Sequence, residues 1–471
     1  MKDEILQAVE FWAQGHEQKM AEELGRWVQI PSVRDDASVA PGMPFGKGCA
    51  DMLQYVRQRA LEMGFCCINH EGYCLTISDG EPQNDDLGVL PHLDVVPAAG
   101  NWSFPPFSGI VRNGFIYGRG AHDNKCAGVM GLYLLCALRE LKIPLKHKVR
   151  LIMGVCEETG MLDMKYFLEH QVPPKYSLVP DCLYPVNFAQ KGRLTGCFSA
   201  QVNNDILEFL AGRSTNEVPG EAKAIVKLAF DVVNQAIGNR EHIRICKLGE
   251  NTLVTAEGIS THTANPEKGL NAIWVLSKAL AEAKILKPNS QRVIELLEFI
   301  SADYYGGPIG VDREDEHGSR TTLVVSLAKL MEGRIYFNID ARFCLSMDVQ
   351  KGERDIRSFF ETNGVCIEQV STKNGVYFDL QDTIVQALQE SWKNLTGRED
   401  QPYYTGGGTY SSVFPNAITY GIIGGGFGKR DETIRTGCGA AHEKDEYIHA
   451  SVMTNGLIAY VAALRALDEV V

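Results

Sequence analysis

Residues 87–97 read LGVLPHLDVVP, a short apolar run that ends in an imidazole and a carboxylate. A run of this length, bounded by turn signals, is typical of a buried strand. Residues i and i+2 of an extended segment point to the same side, so His92 and Asp94 can act together. We expect the Asp94 carboxylate to accept a hydrogen bond from one imidazole nitrogen of His92, which leaves the other nitrogen free to bind a ligand.

Outward from this stretch, short apolar runs alternate with segments in which apolar residues recur at helical spacing. Strands are predicted over 87–90, 149–155 and 176–179, and a helix is predicted over 125–141. This alternation is typical of an α/β domain with a largely parallel sheet. In such a sheet, ligands bind beyond the carboxyl ends of the strands.

Side chains that bind hard metal ions follow these apolar runs. They are His92, Asp94, Glu157, Glu158 and Asp181, with Asp123 at a strand-to-helix junction and His442 far along the chain. Two imidazoles and several carboxylates at one sheet edge suit a pair of divalent cations with an open position for water. The pattern therefore predicts a metal-dependent hydrolase.

The character of the chain changes around Gln190. Residues 191–380 mix strands with helices, one of them predicted over 221–237, and carry no clustered ligands. A chain of 471 residues is too long for one core. We interpret 191–380 as an inserted α+β lid domain, and 1–190 with 381–471 as the catalytic metal-binding domain. The predicted fold class is α/β, with a mostly parallel sheet in the catalytic domain.

Composition excludes several classes of partner. The net charge of −13 and the lack of a Lys/Arg block argue against nucleic acid. No apolar stretch approaches the ~18 residues that a membrane span needs, so no membrane association is expected. The 13 cysteines are odd in number, scattered and without CxxC spacing, which favours reduced thiols in a cytoplasmic protein.

Nine segments, taken together and in order, resemble the M20 family of metallopeptidases, and within it the long bacterial dipeptidases of the PepV type. The likeness covers nearly the whole chain. The matching segments are PHLDVVP (91–97), GRGAHDNK (118–125), CEETG (156–160), VPD (179–181), STNEVP (214–219), STHTANPEKGLNA (260–272), IDARF (339–343), GGGTY (406–410) and AHEKDEY (441–447). The chain departs from the family pattern at Pro91, His122, Asn124 and Cys126, and none of these is a presumed ligand.

By position, the resemblance implies two divalent cations, Zn²⁺ first, with Mn²⁺ or Co²⁺ as alternatives. His92 and Asp181 would hold one cation, and Glu158 and His442 would hold the other. Asp123 would bridge them. Only two of these ligands are histidines and the others are carboxylates, so Mn²⁺ stays an alternative to Zn²⁺.

The resemblance also implies the catalytic and substrate-binding residues. Glu157 would be the general base that acts on a metal-bridging water, and Asp94 would orient His92. A base must reach that water without being a tight ligand, so two adjacent glutamates can divide the two roles. His262 in the lid would reach the substrate carbonyl. The residues matched to substrate binding are Asn216, Arg342, Gly407 and Gly408.

The function implied is the hydrolysis of dipeptides, with Arg342 as a clamp for the C-terminal carboxylate. Because the lid is long, one chain is expected to supply a complete site as a monomer. An N-acyl amino-acid amidohydrolase would use the same metals and base and stays open. A non-catalytic metal- or peptide-binding protein is a third alternative, but binding alone needs no base at position 157.

Overall fold

A computed structural model describes residues 3–424 and 426–471. Met1, Lys2 and Gly425, which the predicted catalytic domain includes, lie outside the described residues. The helices are α1 (Glu4–Val28), α2 (Lys47–Glu62), α3 (Lys125–Glu140), α4 (Leu162–His170), α5 (Phe230–Ile237), α6 (Ala272–Ala283), α7 (Pro288–Ile300), α8 (Val349–Thr362), α9 (Thr383–Thr396) and α10 (Ser451–Val470).

The strands are mostly short. They are β1 (Cys66–His70), β2 (Cys74–Ser78), β3 (Leu87–Val89), β4 (Ile110–Arg112), β5 (Phe115–Tyr117), β6 (Val149–Gly154), β7 (Tyr176–Val179), β8 (Cys182–Leu183), β9 (Val186–Gln190), β10 (Arg193–Gln201), β11 (Ile206–Ala211), β12 (Glu217–Val218), β13 (Glu221–Val226), β14 (Ile243–Leu248), β15 (Asn251–Glu257), β16 (Thr261–His262), β17 (Thr322–Met331), β18 (Arg334–Arg342), β19 (Cys366–Lys373), β20 (Val376–Tyr377), β21 (Tyr403–Thr405), β22 (Ala417–Tyr420), β23 (Ile422–Ile423) and β24 (Tyr447–His449).

The chain forms two compact units. The first unit consists of Met1–Phe188, Phe378–Tyr403 and Thr409–Val471, and the second consists of Ala189–Tyr377 and Tyr404–Gly408. Residues 404–408 were predicted to belong to the catalytic domain but group with the second unit. The backbone explains this correction, because the Thr405 carbonyl accepts a hydrogen bond from the N–H of Lys191 at 3.0 Å.

A twisted sheet organises the first unit, with the strand order β1-β2-β6-β3-β7-β22-β9. Its four central strands, β6, β3, β7 and β22, run parallel to one another. Antiparallel strands flank this centre on both sides. The predicted α/β class is confirmed.

Both faces of the central strands are covered. On β6, Leu151 and Met153 face the large core built with helices α1, α3 and α10, whereas Ile152 faces a smaller cluster that contains Met164 and Phe167 of α4. Successive strand residues point to opposite faces, so a strand covered on both sides must be apolar throughout. Strands β3, β6 and β7 accordingly appear in the sequence as mostly apolar runs.

The second unit is an antiparallel sheet with helices packed on it. Its strand order is β14-β15-β13-β11-β17-β18-β10-β19. Alternate residues of β18, Ile335, Phe337 and Ile339, are buried in a core shared with α6, α7 and α8. In the strands of an antiparallel sheet with one covered face, apolar and polar residues alternate along the sequence.

The helix predicted over 221–237 is wrong in its first part. Residues Glu221–Val226 form strand β13, and a helix begins only at Phe230. Strand β13 pairs with β11 and β15, and its alternate residues Ala222, Ala224 and Val226 are buried. Alanine and lysine favour helices, but the two strand neighbours outweigh that local preference.

Across the described ranges, the structure contains no helix with the length and apolar character needed to cross a membrane.

Candidate metal centre

Three parallel strands of the first unit end beside one another and deliver polar residues to one edge. Beyond β3, His92 forms a parallel bridge with Gly154, the last residue of β6. The N–H of Leu93 donates to the Gly154 carbonyl at 2.8 Å. The segment after β3 therefore runs alongside the end of β6, and the neighbouring strand β7 leads to Asp181.

Two groups of side chains at this edge have the geometry to hold metal ions. The His92 group consists of His92, Asp123 and Asp181, and the His442 group consists of Asp123, Glu158 and His442. In each group the ligand atoms lie within 4.8 Å of one another. Asp123 belongs to both groups.

The Asp123 carboxylate lies between the two imidazoles. Its Oδ1 is 3.0 Å from His92 Nε2, and its Oδ2 is 3.1 Å from His442 Nε2. Asp181 Oδ1 is 3.8 Å from His92 Nε2, and Glu158 Oε1 is 2.9 Å from His442 Nε2. Imidazole nitrogens and carboxylate oxygens are the ligands that Zn²⁺ and Mn²⁺ accept, so the residues fit a pair of divalent cations.

The charges at this edge attract cations. Hydrogen bonds to Asp123 and Glu158 raise the pKa of His442 to about 11. Burial alone would lower the pKa of His92, but the carboxylates of Asp181 and Asp123 outweigh it and raise that pKa well above its usual value. Burial raises the pKa of Asp181 and of Glu158. Three carboxylates and two imidazoles thus share a small space, and divalent cations would take the place of the two imidazolium protons.

Asp94 holds the backbone of the two adjacent glutamates. Its Oδ1 accepts from the N–H of Glu157 at 3.0 Å, and its Oδ2 accepts from the N–H of Glu158 at 3.1 Å. The Nδ1 of His92 lies 3.0 Å from the backbone carbonyl of Asp94 and 3.3 Å from its Oδ1. Spacing in the sequence pointed to the imidazole contact but not to the clamp on Glu157 and Glu158.

A second buried carboxylate, that of Asp163, holds the residue that precedes the two glutamates. Asp163 Oδ2 accepts from the N–H of Cys156 at 2.8 Å and from the hydroxyl of Tyr410. Burial, with a smaller contribution from Asp94, raises the pKa of Asp163 to about 7. This role of Asp163 could not be predicted from the sequence, because an aspartate in the first turn of a helix is common without one.

Two further residues next to Asp123 were not identified as functional from the sequence. The Asn124 amide donates to Asp181 Oδ1 at 2.9 Å and to the Pro180 carbonyl at 2.9 Å. Glu446 is completely buried and accepts from backbone N–H groups of the segment that carries Asp123. For Asn124 the available signal was its departure from the family pattern. For Glu446 it was its place inside AHEKDEY.

The residues predicted to bind substrate gather in the second unit. His262 pairs across two short strands with Glu217, and the N–H of Thr263 donates to the Asn216 carbonyl at 3.0 Å. Arg342 donates to the Thr263 hydroxyl at 3.2 Å and to the Gly406 carbonyl. Gly406 begins the loop that contains the remaining two predicted residues, Gly407 and Gly408. Asn216, His262, Arg342 and this loop thus form one cluster.

Arg342 is buried, and its charge is only partly compensated. It is 3% exposed, and its Nη2 lies 3.3 Å from Asp340 Oδ2. Arg193 pairs with the same aspartate at 2.8 Å, so two guanidinium groups share one carboxylate. The Nε of Arg342 has no hydrogen-bond acceptor within the described part of the chain. The cluster keeps one excess positive charge and an unused donor, which suits a carboxylate ligand.

Comparison with known proteins gives a family match over most of the chain. The sequence profile described as "Peptidase family M20/M25/M40" matches residues 89–466. This range contains both metal-binding groups and the whole second unit.

Two bacterial relatives match nearly end to end. "Putative dipeptidase YtjP" of Bacillus subtilis is 26% identical over 94% of this chain and 96% of its own length. "Putative dipeptidase" of Staphylococcus epidermidis is 28% identical over 96% of this chain and 97% of its own length.

Solved structures share the fold at lower identity. Human carnosine dipeptidase 1 superposes with a TM-score of 0.59 and 15% identity, and the match covers 99% of each chain. The dipeptidase Dug1p from Saccharomyces cerevisiae gives a TM-score of 0.57 and 12% identity, with 98% of each chain covered. At such identities the likeness concerns the fold alone.

Proposed function

The chain belongs to peptidase family M20/M25/M40, a family of metal-dependent hydrolases, and we propose that it hydrolyses dipeptides with two divalent cations. The observation that carries the proposal is the position of Asp123, whose two carboxylate oxygens face different imidazoles at 3.0 and 3.1 Å. A carboxylate shared in this way would serve both metal-binding groups. The names of the bacterial relatives support the dipeptide as the substrate class.

In the proposed site, the His92 group holds one cation and the His442 group holds the other. Zn²⁺ is the first choice, because both groups combine an imidazole with carboxylates, and Mn²⁺ or Co²⁺ are alternatives. Bound cations of this kind lower the pKa of water and stabilise negative charge on the substrate oxygen. The remaining steps depend on the protein's own side chains.

Glu157 is the proposed general base. Its backbone N–H is held by Asp94 Oδ1, and Glu157 belongs to neither metal-binding group. Glu157 takes a proton from the attacking water and passes it to the leaving amine. A base positioned in this way typically contributes ~10²–10⁴-fold in rate.

The cluster in the second unit is proposed to bind the substrate. His262 would donate a hydrogen bond to the carbonyl oxygen of the scissile bond, where negative charge develops. Arg342 and the N–H groups of Gly407 and Gly408 would bind the C-terminal carboxylate, and Asn216 would contact the substrate nearby. A guanidinium that binds the C-terminal carboxylate favours substrates that carry this group close to the cleaved bond, as dipeptides do.

The experiment that tests the proposal is hydrolysis of a dipeptide panel by metal-reconstituted protein, with matched tripeptides and N-acetyl amino acids in parallel. We expect dipeptide turnover that a chelator abolishes and that added Zn²⁺ or Mn²⁺ restores, with tripeptides untouched. Faster turnover of the N-acetyl amino acids would identify an amidohydrolase instead. Glu157→Gln with full metal content should lose ~10²-fold or more in kcat, and full activity in this variant would refute the assignment of the base.

The compartment is proposed from the thiols. All thirteen cysteines are free, and several of them, such as Cys66 and Cys246, are exposed. Exposed free thiols persist in a reducing environment, so we propose that the protein works in the cytoplasm.

A further inference from the structure

Glu446 occupies an unusual position beside the proposed metal site. Strand β24 pairs antiparallel with β5, with Tyr447 opposite Tyr117. The segment before β24, which carries His442, therefore lies next to the segment after β5, which carries Asp123. Glu446 is completely buried between them.

One oxygen of Glu446 binds the backbone that leads to Asp123. Its Oε1 accepts from the N–H groups of Gly120 at 2.9 Å, His122 at 2.9 Å and Asp123 at 3.1 Å. These N–H groups lie in a turn between a strand and helix α3. A buried carboxylate that accepts three such hydrogen bonds fixes the turn, because losing it would leave several buried donors unsatisfied.

The other oxygen of Glu446 connects to His442 through Arg119. Oε2 pairs with one terminal nitrogen of Arg119, and the other terminal nitrogen donates to the His442 carbonyl at 3.2 Å. His442 has a φ of 64°, in the left-handed region that residues other than glycine seldom adopt. Its backbone therefore depends on such partners to keep this conformation.

The two metal-binding groups depend on this ion pair to different extents. In the His442 group, two of three members, Asp123 and His442, have their backbones held by Glu446 and Arg119. In the His92 group, only the backbone of Asp123 is held by this ion pair. Asp181 is held by Asn124, and His92 is held by Asp94.

On the basis of the two-cation function above, we propose that Glu446 is a positioning residue, acting with Arg119, that sets the affinity of the cation in the His442 group selectively. Glu446 itself belongs to neither metal-binding group. Loss of its ion pair with Arg119, which holds His442, should loosen the cation of the His442 group and leave the other nearly unchanged. Partners that orient metal ligands typically account for ~10–100-fold in metal affinity.

The test is a stepwise Zn²⁺ titration of metal-free protein against a chromogenic chelator, with the Co²⁺ absorption spectrum as a second readout. His442→Ala identifies which step belongs to the His442 group. Glu446→Gln should weaken that step by ~10–100-fold and change the other by less than ~3-fold. Because a positioning residue acts through the cation, kcat of this variant should recover when the cation is raised to saturation.

A matched variant separates positioning from general destabilisation. Glu23 is also a buried, paired glutamate, 1% exposed, with Arg59 at 3.0 Å and the Trp27 indole at 2.9 Å, and it belongs to neither metal-binding group. Glu23→Gln should lower the denaturation midpoint and leave both affinities unchanged. If Glu446→Gln weakens both steps equally, or neither, the proposal is overturned.

Arg119→Lys provides a second variant in case Glu446→Gln does not fold. Lysine keeps the charge, but a single nitrogen cannot reach Glu446 and the His442 carbonyl in the same geometry. We expect the same selective loss, and unchanged affinities would overturn the proposal. Wild-type protein that binds two cations, one of them lost in His442→Ala, supports the two-cation function whatever Glu446→Gln does. Wild-type protein that does not bind two cations overturns both.

Discussion

At the scale of single residues, Asp94 shows how one carboxylate can organise a site without joining it. Each of its oxygens accepts one backbone N–H, from Glu157 and from Glu158, at 3.0 and 3.1 Å. Asp94 is 1% exposed, so water cannot replace a lost acceptor. The proposed base and a proposed ligand are thus held by the same side chain.

Replacing Asp94 with asparagine should affect both stability and catalysis. The amide nitrogen would face an N–H group, which leaves a buried donor unsatisfied at a cost of ~1–3 kcal/mol in the free energy of unfolding. Urea denaturation measures the loss, and kcat at saturating metal should fall with it. Asp348→Ala removes the N-cap of α8 and serves as the control, since it should cost ~1 kcal/mol and leave kcat unchanged. Wild-type kcat in Asp94→Asn would contradict the proposed role.

Metal binding should release protons and strengthen as the pH rises. In the metal-free protein the pKa of His442 is raised to about 11 and that of His92 is also raised, so both imidazoles hold a proton at pH 7. A cation must displace these protons, and rising pH removes the competitor. Calorimetry at pH 7 in buffers of different ionisation enthalpy should show proton release, with less release in His442→Ala. Identical heats in all buffers would contradict the prediction.

At the scale of elements, helix α3 approaches the metal-binding edge closely at Gly128. A Cβ at this position would lie 2.7 Å from the Trp27 ring of α1 and 2.8 Å from Leu93 Cδ2. Leu93 stands between His92 and Asp94. The close contact of α3 with its neighbours therefore helps to fix the segment that carries both residues.

Gly128→Ala should be destabilising although alanine favours helices. The added methyl must displace Trp27 or Leu93, and such overpacking typically costs ~1–3 kcal/mol in the free energy of unfolding. Gly15 of α1 provides the comparison, because nothing lies within 4 Å of its Cβ position. Gly15→Ala should stabilise by ~0.5–1 kcal/mol. Opposite shifts in the urea midpoints of the two variants are expected, and a stable Gly128→Ala would show that the neighbours can yield.

The elements also show what sequence patterns can and cannot reveal. Strands β3, β6 and β7 were predictable because they are buried on both faces and leave mostly apolar runs in the sequence. Strand β13 was not, because its identity depends on β11 and β15 rather than on its own residues. The same holds for Glu446 and Arg119, whose pairing joins positions over three hundred residues apart. Local periodicity carries no information about such pairs, and that is why the supports of the site were missed.

At the scale of the whole molecule, three of the proposed substrate residues come from one long insertion. Asn216, His262 and Arg342 lie within Ala189–Tyr377 and form a single cluster. We therefore propose that one chain supplies every residue of the site and that the protein is a monomer.

Complementation tests this prediction more sharply than mass alone. Glu157→Gln chains mixed with His262→Ala chains should show no more activity than the two variants measured separately. In a monomer, the intact His262 of one chain cannot act in the site of the other chain. Light scattering after size exclusion should give the mass of a single chain. Recovery of activity on mixing would mean that His262 acts across two subunits.

The shared position of Asp123 also has a consequence for biosynthesis. Its two imidazole partners are His92 and His442, which come before and after the whole second unit in the order of the sequence. A ribosome that has delivered the first four hundred residues has made a chain with one metal-binding group and without the other. We therefore expect a nascent chain, or a fragment that ends before position 442, to lack the two-cation site and to cleave no peptides.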